Sequence, residues 1–302
     1  MTEHEFTLID RITKIKSINE QYDLENNAYI SFSGGKDSTV LHYLVDEALP
    51  NNKIPRVFIN TGIEYKAIMR FVRSLAEKDN RFVILTVGKN IPKTLASVGY
   101  PFKSKEHAHK VSVYQRSGLT KTVLDYIGKG SKNNFLCPKK MLYNFTQEFT
   151  LKVSDQCCYE FKKKPSAQFE QQTGRYIGLT GMMKTEGGYR TRLNCIVTDS
   201  KTGKIHRFHP LSIVTEEWER WYIANRSIKL CDLYYPPFNF ERTGCVCCPF
   251  SQTLQAQLDT LSVVAPDEKK RAEYIWKPVY DEYRRIGYRL RKELEQPSLF
   301  DF

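Results

Sequence analysis

The chain has 302 residues, 41% of them hydrophobic and 26% charged, a balance that supports a sizeable core and excludes a disordered or fibrous protein. Lys and Arg number 46 against 34 Asp and Glu, leaving +12 at pH 7, which points to anionic partners such as nucleotides or nucleic acid. Eight cysteines are too few for a disulfide scaffold. No stretch approaches the ~20 apolar residues of a membrane span or a secretory signal, so a cytoplasmic protein without a membrane partner is expected, in which clustered thiols hold metal.

Apolar residues Phe6, Ile9, Ile12, Ile15 and Ile18 recur every three positions and predict a leading helix. Ala28–Phe32 is a short apolar run that feeds Ser33-Gly34-Gly35-Lys36-Asp37-Ser38. Helical spacing then returns at Val40, Leu41, Leu44, Val45 and Ala48, so the unit reads strand, glycine turn, helix. Further strands are predicted at Arg56–Asn60, with a helix through Met69 and Leu75, and at Arg81–Val87. Residues 101–165 form a basic insertion, read as helical with loops; from Lys103 to Lys164 there are 13 Lys and Arg against 5 Asp and Glu. The sheet resumes at Tyr176–Leu179, and Asn194–Thr198 and Lys204–Phe208 flank a hairpin turn. A helix follows with Thr215 as N-cap, and Pro266–Glu295 is helical in composition. The fold class is therefore α/β, a doubly wound and mostly parallel sheet with helices on both faces, with a helical basic insertion and a helical C-terminal extension. The expected division is a nucleotide-binding domain over residues 1–253 and the extension over 254–302.

Ligands on such sheets sit at the carboxyl ends of the strands, where Ser33–Ser38 and Asn60–Glu64 fall. Gly34 and Gly35 let the backbone turn tightly and bring bare amides against an anion, and the helix behind adds its positive end. Lys36 can neutralise phosphate charge, Ser33 and Ser38 can donate to phosphate oxygens, and Asp37 is placed to orient a metal or the loop itself. The spacing differs from the Walker loop, so transfer of a γ-phosphate is not the expected chemistry.

Ser33–Ser38 resembles the PP-loop of ATP pyrophosphatases, within the adenine nucleotide α-hydrolase-like (HUP-like) superfamily. Within it, the likeness to the phosphoadenosine phosphosulfate (PAPS) reductase family runs from about Ala28 to Phe250. It is carried by Asn60-Thr61-Gly62-Ile63-Glu64, by Gly181–Arg192, by His209-Pro210-Leu211 and by Arg242-Thr243-Gly244-Cys245-Val246-Cys247-Cys248-Pro249. The resemblance implies an adenine nucleotide, ATP with Mg2+, held by Ser33, Gly34, Gly35, Lys36, Asp37 and Ser38. It adds Thr61, Gly62, Glu64 and Glu186 near the site and Arg190 and Arg192 as phosphate or sulfonyl ligands, and it gives His209 a family context.

Cys245 and Cys248 form a CxxC, and the vicinal pair Cys157-Cys158 lies 87 positions before Cys245, counted from Cys158. Four thiolates suit an iron–sulfur cluster or a structural zinc; reduced buried thiols are the bland alternative. Resemblance to assimilatory adenylylsulfate (APS) reductases favours a [4Fe-4S] cluster, with Cys247 as a possible substitute ligand. Cys137, in the insertion, is read as either a sulfur-accepting thiol or a small buried hydrophobe. Cys195 and Cys231 are expected in the core.

No cysteine follows Cys248 in this chain, where sulfonucleotide reductases carry a nucleophilic one, and the loop has the full SGGKDS form of members that split ATP between its α- and β-phosphates. The leading expectation is thus an iron–sulfur ATP pyrophosphatase that adenylylates an acceptor for sulfur transfer to DNA or tRNA, with a cysteine desulfurase as sulfur donor. The alternatives are a PAPS or APS reductase using another thiol, and a nucleotide-binding accessory subunit. The basic insertion, with Tyr114, Phe135, Tyr143 and Phe145 interleaved, is a candidate nucleic-acid surface. Gln296, Leu299, Phe300 and Phe302 resemble a peptide that docks on the replication sliding clamp.

Overall fold

The computed structural model describes residues 1–130, 136–200 and 202–292, without the side chains of residues 186, 188 and 189. The docking residues Gln296, Leu299, Phe300 and Phe302, together with Phe135 and the Glu186 side chain, lie outside the described residues. The chain forms two compact units, each from two stretches: Met1–Val87 with Lys162–Gly244, and Gly88–Phe161 with the chain from Cys245 onward.

The first unit is built on six strands: β1 (Ala28–Ser31), β2 (Arg56–Asn60), β3 (Phe82–Thr86), β4 (Ile177–Leu179), β5 (Ile196–Thr198) and β6 (Ile205–Phe208). Their order is β3-β2-β1-β4-β6-β5, and every pairing is parallel except the edge hairpin of β5 with β6. Strand β1 is central and its first three residues are buried, as a parallel strand covered on both faces requires. Because the order runs outward from β1 in both directions, its carboxyl end is the switch point where an α/β sheet opens a ligand crevice.

The leading helix, Glu3–Tyr22, starts with a capping box: the Glu5 amide donates to Thr2 Oγ1 at 3.2 Å and the Thr2 amide to Glu5 Oε2 at 2.7 Å. Its buried face is Leu8, Arg11, Ile15 and Ile18, while Phe6 and Ile9 are 59% and 53% exposed. The expected stripe was right in its second half only, because a spacing of three drifts around a helix of 3.6 residues per turn. Val40, Leu41, Leu44 and Val45 of the Lys36–Ala48 helix are fully buried among Ile30, Ile177, Leu179 and Phe208. Each such side chain contributes roughly 1.5–3 kcal/mol of burial free energy.

A buried ionic cluster stands at the start of β2, the end opposite the switch point. Arg56 is fully buried; its Nε donates to His42 Nδ1 at 3.0 Å, and its guanidinium also bonds Asn52 Oδ1 at 2.9 Å and pairs with Asp46. Arg81 closes the cluster with bonds of 2.8 and 3.0 Å to the two Asp46 oxygens. These charges are satisfied by one another, as burial demands.

The second unit is helical: Ile91–Val98, Lys105–Ser117, Lys121–Tyr126, Leu254–Val264 and Pro266–Ile286. The insertion is thus helical as expected. The Leu254–Val264 helix, whose buried residues Leu254, Leu258 and Leu261 repeat at helical spacing, opens the helical extension expected from residue 254. A single parallel bridge joins Tyr100 to Val153. Inside the unit His107 is fully buried, 3.0 Å from Tyr126 Oη through Nδ1 and 3.1 Å from Asn144 Oδ1 through Nε2. Burial lowers its pKa to about 4, with Lys103 adding to the effect.

Candidate nucleotide site

A cavity of about 570 Å³ opens in the first unit at the carboxyl end of β1. Ser33, Gly35, Lys36 and Asp37 line it, joined by Arg190, by Glu216 and Arg220 of the Glu216–Asn225 helix, and by Tyr234 and residues 239–243. Four cations, Lys36, Arg190, Arg220 and Arg242, thus face three acids, Asp37, Glu216 and Glu241. A wall of that makeup beside a helix N-terminus suits a polyphosphate.

The loop's shape depends on its glycines. Gly34 has φ +71, and a Cβ there would stand 2.9 Å from Ile68 Cγ2; both facts bar other residues. Gly181, just after β4, is a close approach that sequence reading passed over: a Cβ would lie 2.6 Å from the Asp37 carbonyl oxygen. Ser38 is 4% exposed and braces the turn, donating to the Gly35 carbonyl at 2.9 Å and standing 3.0 Å from Ser33 Oγ. Its hydroxyl is therefore a loop brace here, while Ser33 is the serine that faces the cavity.

Two contacts hold Lys36. Its amide, the first of the helix, donates to Tyr234 Oη at 2.8 Å, and that hydroxyl lies 3.1 Å from Thr243 Oγ1. Its ammonium lies 2.8 Å from Glu219 Oε2. Glu219 is fully buried, with Asp37 as its other charged neighbour. Burial, with the Asp37 charge alongside, pushes its pKa up to about 7 against the opposing pull of Lys36. Tyr234 and Glu219 were not singled out from sequence. The available signal for Glu219 was its place between Trp218 and Tyr222, both buried on the same helix.

The remaining expected residues are distributed differently. Arg190 lines the cavity; Arg192 is exposed and outside its wall. Thr61 and Glu64 are buried and tied to each other, with the Thr61 amide 3.0 Å from Glu64 Oε2 and Thr61 Oγ1 2.7 Å from Oε1. That bond pair fixes the turn after β2, with Gly62 at φ +81; none of Thr61, Gly62 and Glu64 is in the cavity wall. His209 is buried, its Nδ1 2.6 Å from Thr180 Oγ1, and burial next to Arg207 lowers its pKa to about 4. It serves as a neutral brace beyond β6.

All four expected cluster ligands, Cys157, Cys158, Cys245 and Cys248, fall in the second unit. Cys157 and Cys247 are buried, while Cys158, Cys245 and Cys248 are partly exposed. The Cys245–Pro249 loop is strapped from one face of the last helix: Trp276 Nε1 donates to the Val246 carbonyl at 2.9 Å, Tyr280 Oη to that of Cys247 at 2.5 Å, and Tyr283 Oη to that of Pro249 at 3.0 Å. Cys247 itself sits at φ +41, a conformation that needs such support. Among the described residues, no three His, Cys, Asp or Glu side chains are grouped to hold a metal ion. No chemical step is assigned to a four-iron cluster or a zinc.

Cys137 is 8% exposed, with its thiol 3.6 Å from the Pro138 carbonyl. Burial pushes its pKa up to about 11, only partly offset by Lys103, so it stands as a thiol rather than a reactive thiolate. The interleaved aromatics of the insertion pack within the unit: Tyr114 against Phe145 at 5.7 Å and Tyr143 against Phe149 at 5.5 Å, with Tyr143 Oη 2.5 Å from Glu282 Oε1. Cys231 is buried and Cys195 partly so. Among the described residues, no helix is long and apolar enough to cross a membrane.

Over 111 residues the chain is 32% identical to an uncharacterized protein of Methanocaldococcus jannaschii, a match over 34% of this chain and 26% of that one, so it spans about a quarter of that relative. Among solved structures it resembles PAPS reductase from Candida auris, with TM-score 0.44 and 16% identity over 76% of this chain and 87% of that one. It also resembles FMN adenylyltransferase of Candida glabrata in complex with ATP, with TM-score 0.47 and 14% identity over 82% and 65% of the two chains. A third neighbour is the NH3-dependent NAD synthetase of Campylobacter jejuni, with TM-score 0.42 and 10% identity over 98% and 100%. The family model of the phosphoadenosine phosphosulfate reductase domain matches residues 27–129 and 128–251, spanning the glycine loop, the strands around it and the arginine-bearing walls of the cavity, and the chain belongs to that family.

Proposed function

We propose that this chain binds an adenine nucleotide in the first unit and cleaves ATP between its α- and β-phosphates, activating an acceptor for sulfur transfer. The observation that carries the reading is the full Ser33–Ser38 loop, seated at the end of β1 with Lys36, Arg190, Arg220 and Arg242 around one cavity. An acceptor oxygen attacks the α-phosphorus, its oxygen–phosphorus bond forms as the bond to the β-phosphate oxygen breaks, and AMP-acceptor and pyrophosphate result; any proton on that oxygen passes to solvent. The helix N-terminus and Lys36 stabilise charge on the departing pyrophosphate. Hydrosulfide, released from a desulfurase persulfide by an external thiol that is oxidised to a disulfide, then displaces AMP. Magnesium would arrive with the nucleotide, held by phosphate oxygens and water, and would neutralise charge on the leaving group.

Nucleic acid is the proposed acceptor class, supported by the basic stretch of residues 103–164. Incubation with α-labelled ATP and hydrosulfide, with and without duplex DNA or tRNA, tests the reading. AMP and pyrophosphate should appear in equal amounts, rise with the correct acceptor and fall about 100-fold in Lys36→Ala. Intact ATP together with sulfite released from PAPS and thioredoxin would assign the chain as a reductase instead; nucleotide binding without turnover of either would assign an accessory subunit.

A further inference from the structure

Both groups through which Lys36 is expected to meet phosphate are already engaged by oxygens of the protein itself. The backbone amide is on the Tyr234 hydroxyl, and the ammonium is 2.8 Å from Glu219. These oxygens come from two separate places in the chain, the Glu216–Asn225 helix and the Asp232–Tyr234 turn. The arrangement resembles a phosphate site closed by substitutes for the phosphate.

We propose that Glu219 is the counter-ion that holds the phosphate-loop lysine until an incoming pyrophosphate group takes Lys36 away, so that Glu219 competes with the nucleotide and sets how tightly the site binds. The proposal deepens the nucleotide reading and rests on it. Geometry supports it in two ways. Glu219 is fully buried, with the Lys36 ammonium at 2.8 Å and the like-charged Asp37 alongside, so the pair differs from the multiply bonded cluster that Arg56 makes. Lys36 lies in the cavity wall, so its side chain needs only a rotamer change to turn to a ligand. Release is feasible because the buried carboxyl can take a proton when the ammonium leaves: the charges acting on it are Lys36, which lowers its pKa, and Asp37, which raises it. Arg220 on its own helix, with Arg190 and Arg242, lines the same cavity. Glu219 is thus a positioning residue that acts through Lys36.

The test measures binding of AMPCPP and of inorganic pyrophosphate to the whole chain in four forms: wild type, Glu219→Gln, Lys36→Gln and the double variant, each first shown to be folded by circular dichroism. Glu219→Gln, nearly isosteric, should tighten both ligands by about tenfold, and Lys36→Gln should weaken both. The double variant should bind as Lys36→Gln does, because a residue acting through Lys36 has no effect without it. Glu219→Gln binding no more tightly than wild type, or the same tightening in the absence of Lys36, overturns the proposal. Tightening for pyrophosphate with no AMPCPP binding in any form would sink the ATP reading and keep the counter-ion.

Discussion

The two units hold their central polar groups in different ways. In the first, ion pairs stand at both ends of the strands: Arg56 with Asp46 at the start of β2, Lys36 with Glu219 beyond the end of β1. In the second, neutral groups hold the centre: His107 between Tyr126 and Asn144, and Trp276, Tyr280 and Tyr283 on the carbonyls of the cysteine loop. The contrast teaches where adaptability lies. A buried ion pair with one partner at a cavity can exchange that partner for an anion; a loop pinned by a row of aromatic hydroxyls and an indole is held in one conformation.

The contrast can be broken most severely at the start of β2. Asp46→Asn leaves the Arg56 guanidinium buried with less compensation, and removing one partner of such a pair costs about 3 kcal/mol or more. Hydrogen exchange should show protection lost in residues 1–87 and 162–244 and retained in the Pro266–Ile286 helix; uniform loss would mean the units do not respond separately.

Acid offers a gentler probe. His42 has its pKa lowered to about 4 by burial and by Arg56, His209 by burial and Arg207, and His107 by burial and Lys103. A histidine depressed on folding contributes stability that is present above its unfolded value near ~6.5 and lost as pH falls toward 4. Glu219, raised to about 7, has the reverse sign: its contribution is full below its unfolded value near ~4.3 and is lost as pH rises through 7. Between pH 4.5 and 6.5 the two signs oppose each other in the first unit, whereas in the second His107 carries the histidine sign alone among the described histidines with a lowered pKa. Stability should therefore fall by about 2 kcal/mol on acidification from pH 7 to 4.5 in the second unit. His107→Gln should flatten that slope, as read by exchange in the Lys105–Ser117 helix, and an unchanged slope would remove His107 as the cause.

The smallest effect should come from the cysteine loop. Tyr280→Phe removes one hydrogen bond, worth about 1 kcal/mol, from the Cys247 carbonyl. Labelling of Cys245 and Cys248 by a thiol reagent should speed up about fivefold, with exchange in the sheet unaffected; no change in labelling would show that the strap does not govern the loop.

Much of the first unit was legible in the chain. Strand β2 was read at its observed bounds, β1, β3 and β4 to within one residue at either end, and Thr215 does cap its helix, accepting from the Trp218 amide at 3.1 Å. Hydrophobic periodicity and caps are local signals, and a parallel sheet amplifies them because each strand is buried on both faces. The phosphate loop was legible for the same reason: its glycines, lysine and serines are contiguous. Tyr234 was not, since it lies 198 positions from the Lys36 amide it accepts from, and no local pattern marks it.

Length, charge and cysteine count limited the protein to a basic globular chain, the alternation of strand and helix patterns made it α/β, and the six residues Ser33–Ser38 determined where an anion would be met. Only the tertiary structure decided how that loop is held: Tyr234 on its amide, Glu219 on its lysine, and Ser38 turned inward as a brace. It likewise showed that Thr61 and Glu64 bond each other rather than line the cavity and that the cysteine loop is pinned by the last helix. The physical reason is range. Propensity and periodicity act over a few residues, whereas desolvation and ion pairing depend on which distant side chains share a buried volume, and that is settled when the chain packs.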